Sequence, residues 1–154
     1  MEFISLGRKI KKMKENNDSY KGRKIRVLII SDRLFDRAQV LAEYLQSTGS
    51  IEVVGLAVDR RQALLIAQEH SFDYLIIAGY LKAEYSYSVI SELQRQQRKF
   101  LSVQWSMLDS LIAAFCQRYR ISLKFERTRS MEEFARFLEE HIDDPIPPME
   151  PCTE

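Results

Sequence analysis

The chain has 154 residues, 45% of them hydrophobic, which suits one globular domain with a sizeable core. Its 23 Lys and Arg against 22 Asp and Glu leave a net charge of +1, so the chain as a whole favours neither an acidic nor a basic partner. Apolar runs stay short of the roughly 18 residues a membrane span requires, and the basic start lacks the apolar h-region of a secretory signal.

The near balance of charge conceals an asymmetry. Residues 1–24 form a basic arm, with Arg8, Lys9, Lys11, Lys12, Lys14, Lys21, Arg23 and Lys24 against Glu2, Glu15 and Asp18. Within it Phe3, Leu6, Ile10 and Met13 fall at helical spacing, interrupted by Gly7. The arm reads as a surface-binding or DNA-backbone-binding helix, or more simply as a segment packed on its own domain or loose.

Ile25-Arg26-Val27-Leu28-Ile29-Ile30 opens the central domain as a β-branched run typical of a buried parallel strand. Ala38, Leu41, Ala42 and Leu45 follow at helical spacing and stop near Gly49. Residues 51–58 predict the second strand, and Asp59 the cap of a helix whose apolar side is Ala63, Leu64, Ile66 and Ala67. Residues 74–77 predict the third strand, and Val89, Ile90 and Leu93 mark the third helix. Residues 100–104 predict the fourth strand, and Leu108, Leu111, Ile112 and Phe115 one face of the fourth helix. Residues 121–125 predict the fifth strand. Ser130-Met131-Glu132-Glu133 is a capping-box pattern opening a fifth helix with Phe134, Phe137 and Leu138.

Strands alternating with helices of this length predict an α/β fold, a doubly wound five-stranded parallel sheet of (βα)5, flavodoxin-like order in three α/β/α layers. In that architecture the ligand crevice lies at the carboxyl ends of the strands. The predicted division is a basic arm over 1–24, the domain over 25–142 and an acidic, Pro-rich tail over 143–154. After Arg136 there is no Lys or Arg, while Glu139, Glu140, Asp143, Asp144, Glu150 and Glu154 accumulate. Cys116, in an apolar helical stretch, and Cys152, in the tail, do not make a disulfide framework, so a cytoplasmic location is expected.

Three stretches carry a resemblance: Ile51-Glu52-Val53-Val54-Gly55, Gln62-Ala63-Leu64 and Asp73-Tyr74-Leu75-Ile76-Ile77. With them the chain from Lys24 to about Ile142 resembles the CheY-like receiver domain of bacterial two-component response regulators. In receivers the third strand ends in an aspartate that takes phosphate from a histidine kinase. The matching residue here is Ala78, whose methyl group has no nucleophilic oxygen. Receivers also place two acidic residues after the first strand to hold Mg²⁺. The matching pair is Ser31-Asp32, so one carboxylate remains where the ion wants several hard oxygen ligands. The Thr or Ser ending the fourth strand corresponds to Gln104-Trp105, with Ser106 one further on. The Lys ending the fifth strand corresponds to Arg127, with Glu126 an equal alternative, and the Met-Pro after the aspartate to Leu81-Lys82.

The resemblance therefore implies a degenerate receiver, or pseudo-receiver, with a vestigial phosphate pocket of Ser31, Asp32, Ala78, Gln104, Trp105 and Arg127. Asp32 is a residual ligand site, or pairs with Arg127, or caps the first helix. Trp105 is a partner anchor, or it fills the vacated pocket near Arg127. Tyr80, Tyr85, Tyr87 and Lys82 form a recognition loop or pack on the domain. His70 and His141 are isolated and expected to be solvated, and no metal site or cofactor is expected.

No GxGxxG, GxxxxGK[ST] or GxSxG occurs, so no enzyme is expected. The reading is a stand-alone, phosphorylation-independent signalling and protein-interaction module. By the resemblance, it contacts a partner or a second copy through the fourth helix, fifth strand and fifth helix, with Met107, Leu111, Phe115, Tyr119, Lys124 and Arg129 as contacts. The alternative is a small-molecule sensor or enzyme using Asp32, Ser106 and Arg127 in the crevice. A DNA-binding regulator using the basic arm stands lowest, since no helix-turn-helix pattern follows.

Overall fold

The five segments expected as strands form one parallel sheet in a computed structural model that describes residues 23–31, 33–79, 87–96 and 98–146. The elements follow in the order β1 (Ile25–Ile30), α1 (Phe35–Ser47), β2 (Ile51–Ala57), α2 (Arg60–Glu69), β3 (Tyr74–Ala78), α3 (Ser88–Arg95), β4 (Leu101–Ser106), α4 (Ser110–Arg118), β5 (Leu123–Glu126) and α5 (Met131–His141). The sheet order is β2-β1-β3-β4-β5, the flavodoxin-like order expected from the sequence.

Side chains alternate across each strand and divide the core in two. Val27 and Ile29 of β1, Ile76 and Ala78 of β3, Val103 and Trp105 of β4 and Phe125 of β5 pack with α1 and α5 through Leu41, Leu45, Phe134 and Leu138. Leu28 and Ile30 of β1 and Leu75 and Ile77 of β3 pack with α2, α3 and α4 through Ala63, Ile90, Leu93 and Ile112. Burial on both faces explains why the central strands read as continuous apolar runs.

Local signals act as expected at two helix starts. The Asp59 carboxylate accepts from the Gln62 N–H at 2.8 Å, and Ser130 and Glu133 form a reciprocal capping box. Asp109 caps α4 by accepting from the Ile112 N–H at 2.9 Å, a cap the sequence reading did not single out. Gly55 has a packing reason: an added Cβ would stand 2.8 Å from Ile66 Cδ1, so α2 lies directly on β2 there.

Two boundaries differ from expectation in ways that matter. β4 runs two residues further, to Ser106, because Ala78 pairs in register with Trp105 and Ser106 with Glu126. α4 begins at Ser110, so Leu108 precedes it, and the helix buries Ile112 and Cys116 rather than the face from Leu108 to Leu111. Among the described residues no helix is long and apolar enough to cross a membrane.

Candidate functional site at the carboxyl ends of the strands

Described residues from the ends of β1, β3, β4 and β5 come together at the carboxyl edge of the sheet. Gly79, just past β3, takes a positive φ of 89°, and its N–H donates to the Trp105 carbonyl at 2.8 Å. A Cβ on Gly79 would stand 3.2 Å from Leu34 Cβ, so Leu34 of the β1–α1 connection closes over this turn. The Arg127 N–H donates to the Ser106 carbonyl at 3.0 Å, tying the end of β5 to the end of β4.

A cavity of about 200 Å³ opens between these connections. Arg33 and Leu34 line it from the β1–α1 connection and Gly79 from the end of β3. Ser106, Met107, Asp109 and Ile112 line it from the β4–α4 corner, and Arg127 from the end of β5. Of the five described residues among the six expected in the pocket, only Arg127 lies on this lining.

The rest are placed differently. Ala78 ends β3 as expected, but it is buried with the α1–α5 core. Trp105 stands beside it in register, is 2% exposed, and packs toward Phe134 with ring centroids 6.2 Å apart. Burial sets aside the expectation that Trp105 anchors a partner; the ring packs in the core beside Ala78 and is not on the lining of the cavity that Arg127 borders. The strand alternation turns its indole to the α1–α5 side while the cavity opens elsewhere. Asp32 lies outside the described residues, as do Tyr80, Leu81, Lys82 and Tyr85, the arm residues 1–22 and the tail from 147 on.

The same alternation turns Ser102, Gln104 and Ser106 to the opposite side of β4, where all three are buried. The Gln104 side-chain amide donates to the Gly79 carbonyl at 2.8 Å and lies 3.3 Å from Ser106 Oγ. Ser106 Oγ in turn donates to the Met107 carbonyl at 3.2 Å. Gln104 thus ties the β3 turn to the cavity wall without lining the cavity itself. Among the described residues, Ser31 Oγ, Gln104 Oε1 and Trp105 Nε1 are buried with no hydrogen-bond partner. Such atoms are uncommon in folded proteins, and these three belong to the carboxyl ends of β1 and β4.

Among the described residues, those matching the Mg²⁺ ligands of receivers do not fit the ion. Ser31 supplies a buried hydroxyl and Ala78 a methyl where carboxylates would be needed. Among the described residues no group of three or more His, Cys, Asp or Glu is arranged to hold a metal ion.

The residues expected to meet a partner split in two. Met107, Leu111, Lys124 and Arg129 are exposed. Phe115 and Tyr119 are only half-exposed because both pack on buried Tyr87, whose ring stacks on Tyr119 at 5.1 Å and meets Phe115 at 5.0 Å. Tyr87 is accordingly a core residue and not part of a recognition loop. His141 is half-buried, with Nδ1 2.7 Å from Asp144, rather than solvated alone. Cys116 is a buried free thiol, and burial pushes its pKa up, which disfavours a reactive thiolate. Sequence reasoning missed Arg33, Leu34 and Asp109 as cavity residues. Asp109 had a legible signal, an acidic residue immediately before a helix, whereas the other two meet the cavity through the β1–α1 turn.

No protein-family model matches the chain, and no curated relative matches it in sequence. Solved structures do match. The signal receiver domain of the response regulator NarL from Mycobacterium tuberculosis is 18% identical, with 79% of this chain and 98% of that one covered and a TM-score of 0.66. A Francisella response regulator receiver domain is also 18% identical, with 77% and 97% covered and a TM-score of 0.62. The Vibrio cholerae chemotaxis protein CheY4 is 17% identical, with 76% and 98% covered and a TM-score of 0.62. The chain has the receiver fold of response regulators. At these identities the likeness is one of fold.

Proposed function

We propose that this receiver-fold chain is a signalling module that works without aspartyl phosphorylation, through protein contacts, in the cytoplasm. The observation that carries the reading is Ala78 at the end of β3, the place where receivers carry their phosphate-accepting aspartate. Phosphate ordinarily biases two conformations of a receiver. Without it, the bias has to come from a partner that binds one conformation better than the other. The contact face in this reading is α4, β5 and α5, toward a second copy or another protein, with Lys124 and Arg129 as exposed charges on it.

Incubation with acetyl phosphate and Mg²⁺, followed by intact mass measurement, is expected to show no added phosphoryl group. A stoichiometric, hydroxylamine-labile adduct overturns the reading. Low-millimolar Mg²⁺ is expected to leave the melting temperature unchanged, because an ion that does not bind the native state cannot stabilise it. A clear rise that Asp32→Ala abolishes counts against it as well.

A small-ligand sensor is the second reading, favoured by the cavity of about 200 Å³ and the unpartnered Gln104 Oε1 beside its wall. That volume lies below the roughly 300–1,000 Å³ of ordinary small-molecule sites, which places this reading behind the first.

A further inference from the structure

We infer that the corner formed by the β4–α4 connection and the start of α4 docks an acidic peptide segment of a partner protein, one aliphatic side chain of which enters the cavity. This deepens the interaction-module reading and rests on it. It moves the centre of contact from Phe115 and Tyr119, which pack on Tyr87, to the edge of the cavity.

The corner is apolar where it is most open. Met107, Leu108 and Leu111 are 54%, 40% and 48% exposed within five residues of chain. Single exposed apolar residues are ordinary, but a contiguous group rimmed by charge marks an interaction surface. Met107 belongs both to this lip and to the cavity wall, so lip and cavity are continuous. Leu34 and Ile112 give the cavity apolar walls, and its size suits one inserted side chain better than a cofactor.

Charge selects the occupant. Arg127 is half-buried in the cavity wall, and among the described residues no carboxylate pairs with its guanidinium. The two carboxylates of the corner are already engaged: Asp109 accepts from the Ile112 N–H at 2.9 Å and Glu126 from the Leu108 N–H at 3.0 Å. A partly desolvated guanidinium beside an apolar lip is matched by a carboxylate next to an aliphatic side chain, since Arg holds carboxylates in a two-bond fork. A basic segment brings like charge against Arg127, so the corner discriminates as well as binds.

Selection of short random peptides displayed on phage against the full chain, with anisotropy measurements on the enriched peptides, tests this. The expected consensus places Asp or Glu beside Leu, Ile or Met. Arg127→Glu and Leu111→Ser are each expected to weaken binding by about tenfold or more, while circular dichroism and melting stay native. No enrichment over a control surface overturns the inference, as does a basic or uncharged consensus. Acidic peptides that bind both variants unchanged but lose Lys124→Glu/Arg129→Glu place the contact on the outer α4–β5–α5 face. That result overturns the corner and leaves the module reading standing. A synthetic peptide of residues 143–154 that outcompetes the selected ones reassigns the corner to the chain's own tail. Displacement by millimolar inorganic phosphate, with no dependence on Leu111, reduces the corner to an anion site. Either outcome overturns the foreign partner.

Discussion

At the amino ends of the strands, the Asp73 carboxylate accepts two hydrogen bonds from the Arg23 guanidinium at 3.0 Å and one from the Arg26 N–H at 2.8 Å. Arg26 reaches Ser71 Oγ and pairs with Glu52, and the Asp73 carbonyl accepts from the Leu101 N–H. At the carboxyl ends, Ser31, Gln104 and Trp105 each bury a polar atom that no described residue satisfies, and the connections part around a cavity. Side-chain bonds at the amino end converge on Asp73, whereas the bonds at the carboxyl end leave three buried polar atoms without a described partner. Polar groups at the amino ends hold the strands in register. At the carboxyl ends these three atoms have no described partner to offset their desolvation, as the proposed docking edge would allow.

The largest effect is expected where the carboxyl edge meets the core. Trp105→Ala removes a buried ring packed toward Phe134 and should destabilise by about 3–5 kcal/mol in urea unfolding. Trp105→Phe should cost far less, since the indole N–H has no described partner to lose. If both substitutions cost the same, the N–H is bonded and the contrast between the two ends weakens. Asp73→Ala breaks the amino end at its hub and should cost about 2 kcal/mol, given hydrogen bonds to a partly exposed charged group. A cost near zero means that the amino ends are no better tied than the carboxyl ends.

The sheet was legible in the sequence because burial on both faces writes itself as apolar runs, and the helices because Asp59 and Ser130 announce their starts. The site was legible mainly as an absence, Ala78 where the resemblance to receivers implies a nucleophile. Its contents were not, for two physical reasons. β4 extends through Gln104, Trp105 and Ser106, so the direction of each side chain depends on a register that only pairing with β3 and β5 fixes. That one fact sends Trp105 to the α1–α5 core and Gln104 to the other side. The face of α4 was misread for a related reason. Leu108 and Leu111 fit a helical period, yet α4 starts at Ser110 and seats Ile112 and Cys116 inward, leaving those leucines on the surface.

A smaller effect separates helix ends from strand ends at the carboxyl edge. Ser130 follows β5 and opens α5, and its reciprocal box with Glu133 is complete, with bonds of 3.0 and 3.1 Å. Ser130→Ala should cost about 1 kcal/mol. A cost well below that would extend the slack of the strand ends to the helix caps.

The smallest effect is the most discriminating. Ser31 is fully buried, and its hydroxyl has no described partner. A hydroxyl that is bonded in the folded state contributes roughly 0.5–1.5 kcal/mol, whereas an unbonded one is a desolvation cost with nothing to offset it. Ser31→Ala removes the oxygen and leaves nearly the same shape. It should therefore be neutral or slightly stabilising in chemical denaturation, opposite in sign to Asp73→Ala. The two variants together test the contrast between the ends, because each deletes a polar group near one end of the sheet and they differ in whether that group has partners. A loss of more than about 1 kcal/mol in Ser31→Ala would show that its hydroxyl is satisfied, by water or by a residue such as Asp32. The carboxyl end would then be tied like the amino end, and the proposed docking edge would lose its energetic support.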